Sequence, residues 1–301
     1  MLEFIKPGLF FDFMKVKWYA ITFSLILSAI GVISIMIMGF TYGIDFAGGT
    51  VVQVKFYKSV QADDVRKALK AIGLENERIQ SVGLPTDNEF LIRTAKSEDT
   101  VQGLSQKIKG TLDNAFGREK VQIRRIEMVG GAVSKDIKQK GFLSLFYACL
   151  GILVYIWWRF EFKFSVGAIA ATIHDVIVVV GLFSLLRKEV DLTVVASLLT
   201  LIGYSLNDTV VVFDRIRENI RKQTSPNYDL AYVMSASISQ TLSRTILTSF
   251  TVFLVVLVLF LIGGDVIHNF AFTMLIGTII GCYSSIFIAS PIVLFMSKAK
   301  A

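Results

Sequence analysis

Four ionisable side chains stand inside stretches that are otherwise apolar: His174 and Asp175, Asp208, and Arg244. An ionisable group at membrane depth costs about 2.5–3.5 kcal/mol on insertion scales, so each needs a reason to be there. The chemistry such a set can do is proton transfer. Apolar surroundings favour the neutral form of a carboxyl group, and a nearby guanidinium favours the charged form, so relative movement of the two drives protonation or release. Asp208 and Arg244 are the residue types this requires. Asp208 ends a polar series, Thr193, Ser197, Thr200, Tyr204 and Asp208, whose steps of four, three, four and four keep it on one helix face. Arg244 belongs to a second series, Ser237, Thr241, Arg244, Thr248 and Thr251. Two such stripes on consecutive antiparallel helices are expected to face each other. Asp208 then lies about 8 Å of helical rise from the end of its span, with Arg244 at a similar depth. The plainer readings are a static buried ion pair, or an arginine that reaches to lipid headgroups along its aliphatic stem.

Asp175 is mid-span and joins the proton-relay candidates, as does Asn207 beside Asp208. His174 adjoins Asp175 in sequence but lies about 100° away around a helix, so the two are not expected to meet, and at least one is structural. His268 adjoins an outer loop and reads as interfacial. Gly277 and Gly281 have the four-residue spacing of a helix-packing face. Cys149 and Cys282 sit in different apolar runs and read as small buried hydrophobes. Two scattered histidines and two lone cysteines give no metal-ligand spacing. There is no phosphate-cradling Walker A loop, no GxSxG and no HExxH. The chain is therefore expected to be no enzyme and to hold no metal or cofactor, with an ion gradient as its energy source.

The elements that must carry these residues follow from composition. Of 301 residues, 53% are hydrophobic and 18% charged, against about 45–50% and about 25% in soluble domains. Of the 55 charged residues, 30 lie between Asp45 and Lys140. Elsewhere the chain offers six apolar runs near the roughly 20 residues that cross a bilayer as a helix: 18–40, 141–158, 164–186, 192–213, 238–264 and 269–296. This excludes a simple soluble enzyme, a disordered chain and an outer-membrane barrel, whose strands are short and alternating. Lys15 and Lys17 precede the first run as in a signal peptide, but the run is long and lacks a cleavage pattern, so it reads as a retained anchor.

Basic residues orient the spans. With residues 1–17 and the tail 298–301 in the cytoplasm, the short segments place 12 Lys and Arg inside and only Arg187 and Lys188 outside. Both termini are then cytoplasmic and residues 45–140 lie outside the inner membrane. The net charge of +7 is thus a topology signal, with attraction to anionic lipid secondary and no nucleic-acid partner implied.

The segment 41–140 reads as an α+β domain with its junctions. Thr50–Phe56 alternates like a strand, and Asp63–Ile72 has helical spacing stopped by Gly73. Arg78–Val82 and Glu89–Thr94 are short strands about a turn cluster. Ser97 is placed to cap a second helix with the stripe Val101, Leu104, Ile108 and Leu112, ended by Gly117. Val121–Val129 is the last strand, and its alternation slips at Arg124–Arg125, as at a bulge. The order β-α-β-β-α-β is that of the ferredoxin-like split βαβ arrangement.

One span, a soluble insert and five more spans form a specific layout, and four motifs within it resemble the SecD/SecF family. Tyr42-Gly-Ile-Asp-Phe-Ala-Gly-Gly-Thr50 resembles the signature after that family's first helix, and His174-Asp175 resembles its His-Asp pair. Gly203-Tyr-Ser-Leu-Asn-Asp-Thr-Val-Val-Val-Phe-Asp-Arg-Ile-Arg-Glu-Asn219 resembles the fourth-span motif of the SecF branch, and Gln240–Ser249 the start of its fifth span. The resemblance implies half of an RND-like transporter in a bacterial inner membrane, paired with SecD as a separate chain. It implies assistance to the SecYEG translocon in moving secreted polypeptides, driven by the proton-motive force. It also places the family's proton-path carboxylate on Asp208 and its membrane arginine on Arg244. In the first motif, Gly43, Gly48 and Gly49 are expected to supply positive φ and close backbone approach, with Asp45 bonding backbone amides as ordinary turn chemistry.

Two other functions fit parts of the pattern. Half of an RND exporter for lipids or small molecules shares the layout, but residues 45–140 are too few for a porter domain with its own cavity. An intramembrane aspartyl protease using Asp175 and Asp208 needs two carboxylates sharing a proton at close range; the usual Gly-x-Gly-Asp setting is missing and Arg244 opposes the sharing.

Overall fold

The structure is a computed structural model and describes residues 10–74, 78–82, 87–94, 101–224 and 227–298. It divides into two compact units, Tyr42–Phe142 and the remainder of the chain. α1 (Lys17–Met38) ends at Gly39, whose φ of 65° supplies a left-handed stop. Two-residue β1 (Thr41–Tyr42) and the single turn α2 (Ile44–Ala47) follow. Gly48 and Gly49 have φ of 73° and 117°, as expected. Gly43 does not: it precedes α2 with φ −70° and ψ 171°, extended backbone that any residue adopts. Asp45 occupies the first turn of α2.

In the smaller unit, β2 (Gly49–Phe56), α3 (Ala62–Leu69), β3 (Arg78–Val82), β4 (Glu89–Thr94), α4 (Val101–Phe116) and β5 (Val121–Val129) run in that order. The antiparallel sheet has the order β3-β4-β2-β5. Val52, Val54 and Phe56 share a core with Val65 and Leu69 of α3 and with Leu104, Ile108 and Leu112 of α4, so strand and helix periods converge on one apolar layer. Gln61 and Asp64 form a reciprocal capping box at the start of α3. A 3-10 turn and Gly73, at φ 71°, end that segment. Gln53 pairs with Arg125 and Val54 with Ile123, so Arg124 is the extra residue of a bulge. The expected cap at Ser97 lies outside the described residues.

α5 (Gly131–Arg159), α6 (Phe162–Leu185), β6 (Glu189–Val190), α7 (Leu192–Arg221) and α8 (Leu230–Ile262) come next. α9 (Asp265–Ser284) then passes through a π-helical turn, Ser285–Ala289, into α10 (Ser290–Lys298). Among the described residues, six helices, counting α9 and α10 as one, are long and apolar enough to cross a membrane. Several extend beyond the apolar runs, where exposed i,i+4 pairs form, such as Lys140–Asp136 at 2.7 Å and Lys222–Glu218 at 2.6 Å. Asp191 accepts from Val194 N at 2.9 Å and Asp229 from Ala231 N at 2.9 Å, capping α7 and α8. About half of each apolar window of α6, α7 and α9 is buried (56%, 50% and 50%), against 17%, 11% and 17% for α1, α5 and α8. The central three helices therefore supply the most buried positions of the membrane unit.

Candidate functional site

Asp208 projects from α7 and is 2% exposed. Its Oδ2 accepts a hydrogen bond from Ser249 Oγ of α8 at 2.9 Å. Tyr204 and Cys282 lie against the same serine. The buried polar face of α7 is Ser197, Ser205, Asp208 and Thr209. Of the expected stripe, Thr200 is exposed and turns its hydroxyl back onto the Ala196 carbonyl at 2.9 Å. Thr193 bonds to Asp191, outside the apolar core.

The face expected of α8 needs a larger correction. Ser237, Thr241, Thr245 and Ser249 are buried, whereas Arg244, Thr248 and Thr251 are exposed. The buried row follows steps of four, the ridge along which helices commonly interdigitate. Thr248 and Thr251 satisfy their hydroxyls on carbonyls of their own helix. Arg244 accordingly forms no ion pair with Asp208, and among the described residues no carboxylate oxygen lies within 4.0 Å of its side-chain nitrogens. It lines a cleft of about 400 Å³ with Arg159, Asp214 and Arg215, still within electrostatic reach of Asp208.

Asp175, 1% exposed on α6, gathers three partners. Its Oδ2 accepts from Ser205 Oγ of α7 at 2.6 Å and from Ser284 Oγ of α9 at 2.9 Å. Its Oδ1 lies 3.1 Å from Nδ1 of His174. His174 and Asp175 thus do meet, against the helical-angle expectation. A buried ring N–H that cannot reach water takes the nearest acceptor, and here that is the adjacent carboxylate. The other ring nitrogen, Nε2, is buried without a hydrogen-bond partner.

Gly277 and Gly281 of α9 face α7: a Cβ on Gly277 would stand 2.5 Å from the Leu201 side chain, and one on Gly281 3.1 Å from Ser205 Cβ. This close approach is what lets α7 deliver Ser205 to Asp175. Asn207 is exposed, about 200° around α7 from Ser205. His268 stacks on Phe260 with ring centroids 4.4 Å apart. Gly43, Asp45, Gly48 and Gly49 belong to the other unit. Cys149 and Cys282 are free thiols, half-buried. Among the described residues, no three His, Cys, Asp or Glu side chains gather as a metal site would require. Sequence reasoning missed Ser205, Ser249 and Ser284; each is a hydroxyl inside an apolar span, but sequence spacing does not tie any of them to its carboxylate.

The arrangement is a pair of sealed carboxylates, one on α7 and one on α6, each held by serines from neighbouring helices. A family model described as "Protein export membrane protein SecD/SecF, C-terminal" matches residues 108–299, and one described as "SecD/SecF GG Motif" matches residues 33–60. The chain belongs to the SecD/SecF family. A relative in Desulfurispirillum indicum, "Protein translocase subunit SecF", is 43% identical over 290 residues, covering 95% of this chain and 91% of its own. A protein of the same name in Escherichia coli O157:H7 is 40% identical over 291 residues, covering 96% and 89%. Among solved structures, SecDF from Thermus thermophilus, "a translocon-associated membrane protein", matches with TM-score 0.85 and 32% identity over 97% of this chain. SecDF in its "Super-membrane-facing form" matches with TM-score 0.70. The chain spans 39% of the first of these SecDF chains and 40% of the second. The three SecD/SecF motifs recognised in the membrane helices, at His174-Asp175, around Asp208 and around Arg244, fall inside the C-terminal family match.

Proposed function

We propose that this chain is a SecF-type subunit of a SecDF complex that assists protein translocation across a bacterial inner membrane. Near-complete coverage of relatives named as translocase subunits supports this. We assign a SecD partner, secreted polypeptide and the SecYEG translocon to the working assembly, as the likeness to SecDF supports. In this reading both termini are cytoplasmic, residues 45–140 form a periplasmic ferredoxin-like domain, and the six helices make half of an RND-like transporter.

The energy source in this proposal is the proton-motive force, with no other cofactor. Asp208 takes up and releases the proton. The observation that carries the reading is its setting: a carboxyl group 2% exposed, held by one serine hydroxyl, with its cation in a cleft nearby. Approach of Arg244 favours the charged carboxylate, and its withdrawal favours uptake of a proton. A helix shift that exchanges Ser249 for Arg244 at Asp208 therefore couples proton binding to motion. Asp175 ties α6 to α7 and α9 beside this site, where its own proton exchange is the second candidate step.

The assignment is tested in bacteria depleted of their own SecF and supplied with this chain together with its SecD. Export of a slowly secreted reporter should recover, and a tagged copy extracted in mild detergent should bring SecD with it. Normal membrane levels without recovery would overturn the proposal.

A further inference from the structure

The basic end of the membrane unit carries a feature that the proton site does not use. The cleft of about 400 Å³ lies between the end of α5, the last turns of α7 and the first half of α8, within the roughly 300–1,000 Å³ of small-molecule sites. Towards the membrane interior its wall is apolar, from Val210 and Val211; further along α7 it becomes charged, with Asp214, Arg215 and Glu218. Some of those charges are already spent. Arg215 donates to Glu218 Oε2 at 2.6 Å and to Gln240 Oε1 at 2.7 Å, and Lys222 takes the other Glu218 oxygen at 2.6 Å. Arg159, Arg244 and Asp214 are exposed, and among the described residues none has an opposite charge within 4.0 Å. Two guanidinium groups and one carboxylate are therefore left on the lining of a single cleft.

Its depth in the membrane is marked by neighbouring residues. Trp157 and Trp158 directly precede Arg159 on α5 and are 59% and 88% exposed. Exposed indoles settle at the headgroup level of a bilayer. The charged mouth is thus at headgroup depth and the Val210–Val211 wall just below it, where glycerol and the first acyl carbons lie.

We propose that this cleft binds the headgroup of a phospholipid that carries both a phosphate and a primary amine, the chemistry of phosphatidylethanolamine. Arg159 and Arg244 take the phosphate, whose oxygens match the guanidinium fork. Asp214 takes the ammonium, which donates up to three hydrogen bonds to carboxylate oxygens. The mixed charge decides against other headgroups. Phosphatidylcholine has no N–H to give Asp214, and phosphatidylglycerol brings no cation and faces an unpaired carboxylate. Inorganic phosphate meets the same carboxylate and leaves the apolar wall uncovered. A bound phosphate also holds Arg244 at the mouth of the cleft, away from Asp208. This last consequence rests on the proton-site reading; the binding does not.

The test uses the full-length chain, delipidated in mild detergent and offered an equimolar mixture of phosphatidylethanolamine, phosphatidylcholine and phosphatidylglycerol, with bound lipid read by native mass spectrometry. Phosphatidylethanolamine should be retained about tenfold over either competitor, the value of one charged hydrogen-bonded contact. Asp214→Asn should erase its advantage over phosphatidylcholine, with Asp214→Glu restoring it. Arg159→Gln should lower retention of all three lipids. Equal retention of the three by the unmodified protein, or a preference untouched by Asp214→Asn, overturns the assignment. Displacement of the lipid by millimolar inorganic phosphate as readily as by phosphoethanolamine marks a plain anion site and overturns it as well. None of these readouts depends on proton-driven export, so this proposal and the translocation reading stand or fall separately.

Discussion

Ser249 donates to Asp208 across the α7–α8 contact at 2.9 Å, while Arg244, on the same helix as Ser249, leaves that carboxyl group without an ion pair. Two groups on α8 thus stand in line for one acceptor. In this state the hydroxyl has it.

Ser249→Ala removes the hydrogen-bond donor without opening room for water. A typical hydrogen bond is worth about 0.5–1.5 kcal/mol, so gradient-dependent export should fall severalfold. Ser249→Thr keeps the hydroxyl and should retain most activity. Comparing export rates of the two variants at equal membrane level checks this; an alanine variant as active as the parent would detach Ser249 from the site.

Asp175 is the common acceptor for Ser205, Ser284 and His174. Asp175→Ala leaves all three buried groups without it, and each unsatisfied group costs about 1–3 kcal/mol. A thermal-unfolding midpoint in detergent should drop by several degrees. Asp175→Asn retains an acceptor oxygen and should recover much of that loss. If export then fails in the well-folded asparagine variant, Asp175 does more than tie helices together.

The apolar runs, the alternation of β2 and the slip at Arg124 were all legible in the sequence because each is a local period acting on one element. The partner of Asp208 was not. Arg244 and Thr245 differ by about 100° of helical phase, and steps of three or four from Thr241 reach either. Which one faces α7 depends on how the two helices cross, and a single helix's sequence does not carry that. Asp175 illustrates a second limit, since its three partners come from α6, α7 and α9, and only packing brings them together. Gly43 failed differently: glycine permits positive φ but does not demand it.

Packing between α7 and α9 offers a contrast within one pair of helices. Gly277→Ala puts a Cβ 2.5 Å from the Leu201 side chain, whereas a Cβ on Gly203 of α7 meets nothing within 4 Å. Overpacking of this kind costs about 1–3 kcal/mol. Gly277→Ala should lower the thermal midpoint measurably and Gly203→Ala should not. Equal midpoints for the two variants would contradict the close α7–α9 approach.

The unit Tyr42–Phe142 has its own core, in which Phe56 meets Phe90 and Phe116 with centroids 5.6 and 5.1 Å apart. Expressed alone, it should show mixed helix and strand circular dichroism and a cooperative melt. Phe56→Ala should cost about 3–5 kcal/mol and abolish the melt in a domain of this size. A random-coil spectrum from the unmodified segment would contradict an independent core.

The central claim is that Asp208 cycles between charged and neutral forms. Asp208→Asn keeps size and hydrogen bonding but cannot titrate. The decisive measurement is export of a slow secretory substrate by cells relying on the Asp208→Asn chain, with the proton gradient intact and then collapsed by an uncoupler. The account predicts a variant present at normal level and bound to SecD, whose export is low and no longer responds to the gradient. Export that remains gradient-dependent through the Asp208→Asn subunit would contradict it and reduce Asp208 to a buried structural partner of Ser249.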